Sequence, residues 1–411
     1  MDSKSEELFK ALLNGKTIDD FTPRSRLEEY LKAALSKSGT NNLPIPRSRL
    51  DVLLYELINY IRNNSADEFL KTRNGNYLFY YCSNDAINPI VEKFDFSNIT
   101  DATGMFNACT SLTSVSQIDT SNVTNMCLMF NSCSALTSIP QLDTSKVTNM
   151  GSMFRLCSKL TSVPQLDTSN VTNMSSMFNN CKALTSVPQL DTSNVTDMTS
   201  MFDSCKALTS IPQLDTSNVT KMRDMFNSCS ALTSIPQLDT SNVTDMTNMF
   251  YRCSALTSVP QLDTSNVTDM GSMFNGCSKL ETISGIDLRS ATSLYSIVSS
   301  CQTLKECWFK NIRNDLQVGS GSTYGHLLTL DCLLYLIKEV IKKSTTIKLT
   351  VGTTNLAKLS GIYVKLIDIT DEMRAEDEFI DQKYPFEVCE STDEGAMTLS
   401  TYYGLKNLTL A

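Results

Sequence analysis

The chain has 411 residues, room for two to four domains, and its 41% hydrophobic and 19% charged residues exclude a chain disordered by composition. A formal net charge of −9 argues against a surface that neutralises phosphates, and so against nucleic acid as a partner. A single histidine, His326, nearly removes histidine triads and zinc–histidine sites, so we expect no enzyme, no cofactor and no metal site.

The first expected elements are helical. MDSKSEELFKALLNG lacks the apolar h-region of a secretory signal, and no run of eighteen apolar residues predicts a membrane span. Two related segments follow, Pro23-Arg24-Ser25-Arg26-Leu27 and then Pro46-Arg47-Ser48-Arg49-Leu50. Each places proline in a first helical turn and then leucines four apart, Leu27 with Leu31 and Leu50 with Leu54. Helices this short bury little surface alone, so residues 1–75 are read as an all-α docking or capping segment. Its candidate contacts are Arg24, Arg26, Leu27, Leu31, Arg47, Arg49, Leu50 and Leu54.

This paired Pro-Arg-Ser-Arg-Leu-Glu/Asp arrangement resembles N-terminal segments of head- and tail-fibre-like proteins of gut bacteriophages. The resemblance implies anchoring to a virion, with other virion proteins as partners. The alternative is a cap over the first coil of the repeats that follow.

Residues 76–310 are read as a solenoid. Cys109, Cys133, Cys157, Cys181, Cys205, Cys229, Cys253, Cys277 and Cys301 recur every twenty-four positions. The same period carries Met105-Phe106 to Met273-Phe274, Leu112 to Leu304 and Asp95 to Asp287. Such a period with aliphatic landmarks signals leucine-rich-repeat-like coils. In one copy the inward set is Leu184, Val187, Leu190, Val195, Met198, Met201, Phe202 and Cys205. LTSV is expected as a short parallel strand, DTSN as a corner, VTNM as a second extended piece and SSMFNNC as a closing turn. Pro140 to Pro260 follow LTSV or LTSI in six copies, and must end the strand or face away from its ladder. The recurrent LDTSNVT-x-M-x-x-MF-x-x-C-x-x-LTS resembles the BspA-type leucine-rich repeats of bacterial and protist surface proteins. That resemblance implies adhesion, host recognition or scaffolding.

The constant columns are expected to be structural. The cysteines read as buried thiols, because identical positions point their Cβ atoms the same way. Asp-Thr-Ser reads as an Asx-turn rather than a calcium loop, and Asn-Val-Thr as a hydrogen-bonding corner rather than a glycosylation site. Copies differ beside the Met-Phe pair, where Arg155, Lys221, Arg223, Tyr251 and Arg252 read either as neutral drift on an exposed face or as a candidate ligand-binding rim on an acidic protein. A bacterial surface polysaccharide with acidic groups, or a protein, is the expected ligand.

Residues 311–411 are read as an α/β cap. HLLTLDCLLYLIKEVIKKS is an apolar-striped helix, TTIKLTV an alternating strand and DEMRAEDEFIDQK a solvated acidic face. His326 is expected near that helix's start, and Trp308 as a plug over the last coil. "IKLTVGTTNLAKL" and the closing "LTLA" resemble terminal segments of gut phage and prophage proteins. The expected function is a non-enzymatic virion appendage that displays its repeats to a host surface, an arrangement open to a homo-oligomer. The alternative is a BspA-like adhesin or interaction scaffold on a bacterial cell surface.

Overall fold

The computed structural model describes residues 75–80, 96–312, 316–318, 328–329, 332–337, 349–351, 362–366, 386–389, 391–394 and 396–399. The chain divides into two compact units, Met1–Asn194 and Val195–Ala411, and each is taken by itself. The candidate docking residues Arg24 to Leu54 lie outside the described residues, as do His326 and the acidic stretch.

Within each unit the repeated copies are stacked coils. Every member of the inward set from Leu184 to Cys205 is buried. The constant apolar positions meet their own kind in the next coil. In the first unit the rings of Phe106, Phe130, Phe154 and Phe178 stack at 5.4–5.8 Å between centroids, within 11° of parallel. In the second, Phe202, Phe226, Phe250 and Phe274 do the same at 5.6–5.7 Å. The first column begins earlier than the period indicates. Phe79 stacks on Phe106 at 5.2 Å across a coil longer than the repeat, and the Tyr77 and Phe79 N–H groups donate to the Thr103 and Met105 carbonyls.

The Met-Phe segment carries most of the backbone pairing between coils. Met126, Leu128, Phe130 and Ser132 donate to the Asn149, Gly151, Met153 and Arg155 carbonyls at 2.7–2.9 Å. Met222, Asp224, Phe226 and Ser228 repeat this against Asp245, Thr247, Met249 and Tyr251. To aim every second N–H at the next coil, the segment makes successive tight turns. The Met129 N–H donates to Met126 and the Cys133 N–H to Phe130. The third residue of each turn has positive φ, as at Leu128 (60°) and Ser132 (63°), or Asp224 (56°) and Arg252 (57°) in the second unit. Glycine would fit that geometry best, yet here side chains tolerate it because the inter-coil bonds fix the backbone.

The expected LTSV strand is corrected. In the coils bearing Pro140 to Pro260 that segment is not a strand, and its backbone pairs sparsely with the preceding coil, as from the Thr137 N–H to the Thr113 carbonyl at 3.1 Å. Proline has no N–H to extend the ladder. The next residue, glutamine, bridges the coils instead: Gln141 Nε2 donates to the Gln165 carbonyl at 2.7 Å, and Gln237 repeats the bond to Gln261 at 2.6 Å. Where proline gives way to Ser284 and Trp308, the strand forms. β1 (Thr282–Asp287) pairs in parallel with β2 (Glu306–Lys310). The register slips between Ile283 and Ile286, around Gly285 with φ of 77°. Elsewhere the parallel bridges fall in the VTNM segment, at Asn125, Asn149 and Asn173 in the first unit and at Asp197, Lys221 and Asp245 in the second.

Trp308 is not a plug. The alternation of β2 buries Cys307 and Phe309 and leaves Trp308 half-exposed, edge-on to Tyr335 at 5.0 Å. Beyond Ile312 the described pieces are mostly short strands, with one helical stretch at 332–337. β3 (Leu316–Val318) pairs in parallel with β4 (Leu349–Val351). β5 (Tyr363–Leu366) pairs antiparallel with β6 (Phe386–Cys389) and β7 (Met397–Thr398). Leu328 and Thr329, expected in the C-terminal helix, are not helical, and the Thr329 N–H donates instead to the Lys305 carbonyl at 2.7 Å. The other residues of that helix outside 332–337 lie outside the described residues.

Candidate functional site

The polar columns hold the corners together. At Asp-Thr-Ser the Asp143 carboxylate accepts the Ser145 N–H at 3.0 Å and its hydroxyl at 2.7 Å. Asp215 and Asp263 do the same with Ser217 and Ser265. These are the expected Asx-turns. The intervening threonine is buried, and its hydroxyl donates to the next coil's aspartate carbonyl, as from Thr144 to Asp167 and Thr240 to Asp263, both at 2.8 Å. The asparagine of Asn-Val-Thr reaches the previous coil: Asn170 Nδ2 donates to the Ser145 carbonyl and Asn266 Nδ2 to Ser241, each at 2.8 Å. Where the column carries Lys146 instead, its Nζ donates to the Asn122 side chain.

The cysteine column is made of free thiols. Within each unit the S–H groups donate to the carbonyl of the phenylalanine one coil back, as from Cys157 to Phe130 at 3.1 Å and from Cys253 to Phe226 at 3.0 Å. Burial pushes the Cys157, Cys253 and Cys301 thiols up to about 12, so they stay protonated. A buried, protonated thiol is neither a nucleophile nor a metal ligand. Among the described residues no cluster of His, Cys, Asp or Glu is placed to hold a metal ion.

The Ser hydroxyl and N–H bonds at the corners hold the Asp143, Asp215 and Asp263 carboxyls below the usual range. At Asp287 burial opposes the charge. Bonds from the Arg289 guanidinium (2.6 and 2.9 Å), Asn311 Nδ2 (2.9 Å) and the Arg289 N–H outweigh it, and the net shift is again downward. A group whose folded pKa is depressed stabilises the fold above its unfolded value, and that contribution disappears as pH falls through the folded one. The urea midpoint is therefore expected to fall below about pH 4. Replacing Asp143, Asp215 and Asp263 together by asparagine, which still accepts the turn bonds, should flatten that fall. A parent midpoint independent of pH down to about pH 3 contradicts the role given to these corners.

The five candidate rim residues occupy three settings. Arg155 belongs to the first unit, where its carbonyl accepts the Ser132 N–H. In the second unit Lys221 lies 3.6 Å from the Asp197 carboxylate. Arg223 lies 3.4 Å from Asp224 and 3.8 Å from Asp245. Two cations thus face three carboxylates, and the stripe they share is not a positive patch. Tyr251 and Arg252 follow the Met-Phe pair of the next coil, with the guanidinium 5.0 Å from the ring centroid. The Arg252 side chain also covers Gly276, where a Cβ would meet its Cγ at 3.1 Å. Sequence reading missed Tyr295, an aromatic 59% exposed in the second unit. Its ring lies where a Cβ on Gly271 would be, so only the glycine allows this placement. The signal was an aromatic at a variable position with glycine one period before it.

A family model described as "Mycoplasma protein of unknown function, DUF285" matches residues 74–187, 159–261, 185–288 and 206–310. No curated protein matches the sequence. Among solved structures, a leucine-rich repeat protein from Bacteroides ovatus is 19% identical, with a TM-score of 0.23 over 62% of this chain and 81% of that one. An internalin from Listeria monocytogenes is 16% identical, with a TM-score of 0.24 over 67% and 74%. The TLR13–ssRNA13 complex is 14% identical, with a TM-score of 0.27 over 58% of this chain, which spans only 36% of the TLR13 chain. At scores this far below 0.5 the fold assignment rests on the coils themselves.

Proposed function

The chain belongs to the family described as "Mycoplasma protein of unknown function, DUF285", and we propose that it is a non-enzymatic recognition scaffold displayed on a surface. The observation that carries this reading is how each coil uses its residues. The constant side chains are spent on packing and on bonds to the adjacent coil, as at Phe226, Thr240, Cys253 and Asn266. The residues that change from copy to copy, such as Lys221, Arg223 and Arg252, stand exposed. A partner would read those positions, while the buried columns hold them in place.

The setting we propose is a bacteriophage virion. Residues 1–75 would seat among other virion proteins through Arg24, Arg26, Leu27 and Leu31 and their counterparts Arg47, Arg49, Leu50 and Leu54. The support is the doubled Pro-Arg-Ser-Arg-Leu segment and the resemblance at both chain ends. A BspA-like adhesin or interaction scaffold on a bacterial cell surface fits the repeats equally well, and only the segments at the chain ends separate the two settings.

The test is the composition of purified particles. Full-length protein is expected in them. A chain lacking residues 1–74, which spares the turn at Gly75 that leads into Phe79, should be absent while remaining folded in isolation. Parental incorporation of the truncated chain would reject the docking assignment. Complete absence of the full-length chain would move the protein to the cell surface.

A further inference from the structure

One pair of cysteines stands outside the periodic column. Cys307, on β2, and Cys332, at the start of the helical stretch 332–337, are both fully buried. Their sulfurs lie 3.9 Å apart. The Cys307 N–H donates to Cys332 Sγ at 3.1 Å, and the Cys332 thiol is 3.5 Å from the Cys307 carbonyl. The column cysteines are arranged otherwise, each S–H aimed at a phenylalanine carbonyl. Those thiols all leave their coils in one direction, whereas Cys307 and Cys332 approach each other from different elements.

We infer that Cys307 and Cys332 are a disulfide-forming pair that fastens the helical stretch at 332–337 to the last coil, and that the column thiols stay reduced under the same conditions. Closing the bond requires the sulfurs to approach by about 2 Å, within reach of side-chain rotation. The oxidant is a low-molecular-weight disulfide such as oxidised glutathione. The Cys332 thiolate attacks one glutathione sulfur, forming a mixed disulfide and releasing the other glutathione as its thiolate. The hydrogen bond to the Cys332 thiolate, then burial, hold the Cys307 thiol protonated at first. Capping Cys332 in the mixed disulfide removes that hydrogen bond and the neighbouring negative charge, so Cys307 can lose its proton, attack Cys332 Sγ and release the second glutathione. Two protein thiols lose two electrons and two protons, and one glutathione disulfide becomes two glutathione thiols. The hydrogen bonds to Cys332 Sγ, from the Cys307 thiol first, lower its pKa and make it the attacking sulfur. In the folded column, burial keeps the thiols protonated and out of this exchange.

The experiment refolds the full chain in a mixture of reduced and oxidised glutathione, traps thiols with iodoacetamide and digests with trypsin without reduction. Cleavage after Lys305, Lys310, Arg313 and Lys338 places the two sulfurs on peptides 306–310 and 314–338. The expected result is that these peptides are recovered linked as the dominant form and separate on reduction, while Cys157, Cys205 and Cys253 are alkylated after denaturation. Cys332→Ser should abolish the link without moving Cys307 to another partner. Folded parent in which Cys307 and Cys332 are both alkylated would overturn the inference, as would links among the column cysteines.

Discussion

Phe226→Ala is expected to destabilise the second unit by about 3–5 kcal/mol. The ring is fully buried, stacked between Phe202 and Phe250 at 5.7 Å on each side. Truncation removes its transfer free energy and leaves a cavity that cannot close. The Met-Phe backbone on both sides is held by four N–H bonds per junction, including those of Phe226 and Ser228 to Met249 and Tyr251. Two aromatic contacts are lost as well, each worth roughly 0.5–1.5 kcal/mol beyond area burial. Coils contact only their neighbours, so the loss falls on the two junctions where Phe226 meets Phe202 and Phe250. Thr220→Ala, at an exposed position whose hydroxyl lies 3.3 Å from the Thr196 carbonyl, should cost about 1 kcal/mol or less. Urea unfolding of the two variants checks the contrast. Equal midpoints would mean that the phenylalanine column does not hold the coils together.

How far the fold was legible follows from what repetition records. A column repeated at one spacing shows which positions are equivalent, and equivalence alone placed Leu184, Met198, Phe202 and Cys205 inside. The Asp-Thr-Ser corner was legible because its chemistry is local, as Asp143 and Ser145 demonstrate. Strand position was not. LTSV has the β-branched look of a strand, but ladder formation depends on the N–H that Pro140 to Pro260 lack, and the pairing moved to the Met-Phe turns. Those turns gave little warning, because their positive-φ positions are mostly serine, asparagine, leucine or arginine instead of glycine. Departures from the period also hid information. Phe79 joins its column across an over-long coil and Cys332 meets Cys307 one position beyond the period, so a search at the strict period passes over both. The candidate surface was legible only as composition. Variability marked Lys221 and Arg223, but their aspartate partners one coil away came from the stacking.

The largest functional effect is expected from the exposed variable residues. If recognition is read there, replacing Arg155, Lys221, Arg223, Tyr251 and Arg252 together by alanine or serine should abolish binding and leave the fold intact. None of the five side chains is buried. Lys221 and Arg223 are about half exposed or more, and their ion pairs at 3.4–3.8 Å are of the weak surface kind. Arg252 already occupies a positive-φ position that serine fills in other copies, such as Ser228. Because carboxylates accompany the cations, salt should weaken binding by the parent only moderately, unlike binding to a purely basic patch.

The most direct measurement is binding of the purified parent and the five-residue variant to an array of acidic bacterial polysaccharides, at low and moderate salt. The parent is expected to bind a distinct subset of the array, and the variant to lose that subset while keeping the parent's unfolding midpoint. Coincident profiles for the two proteins, or a parent that binds no member of the array, would contradict recognition of such polysaccharides through these positions.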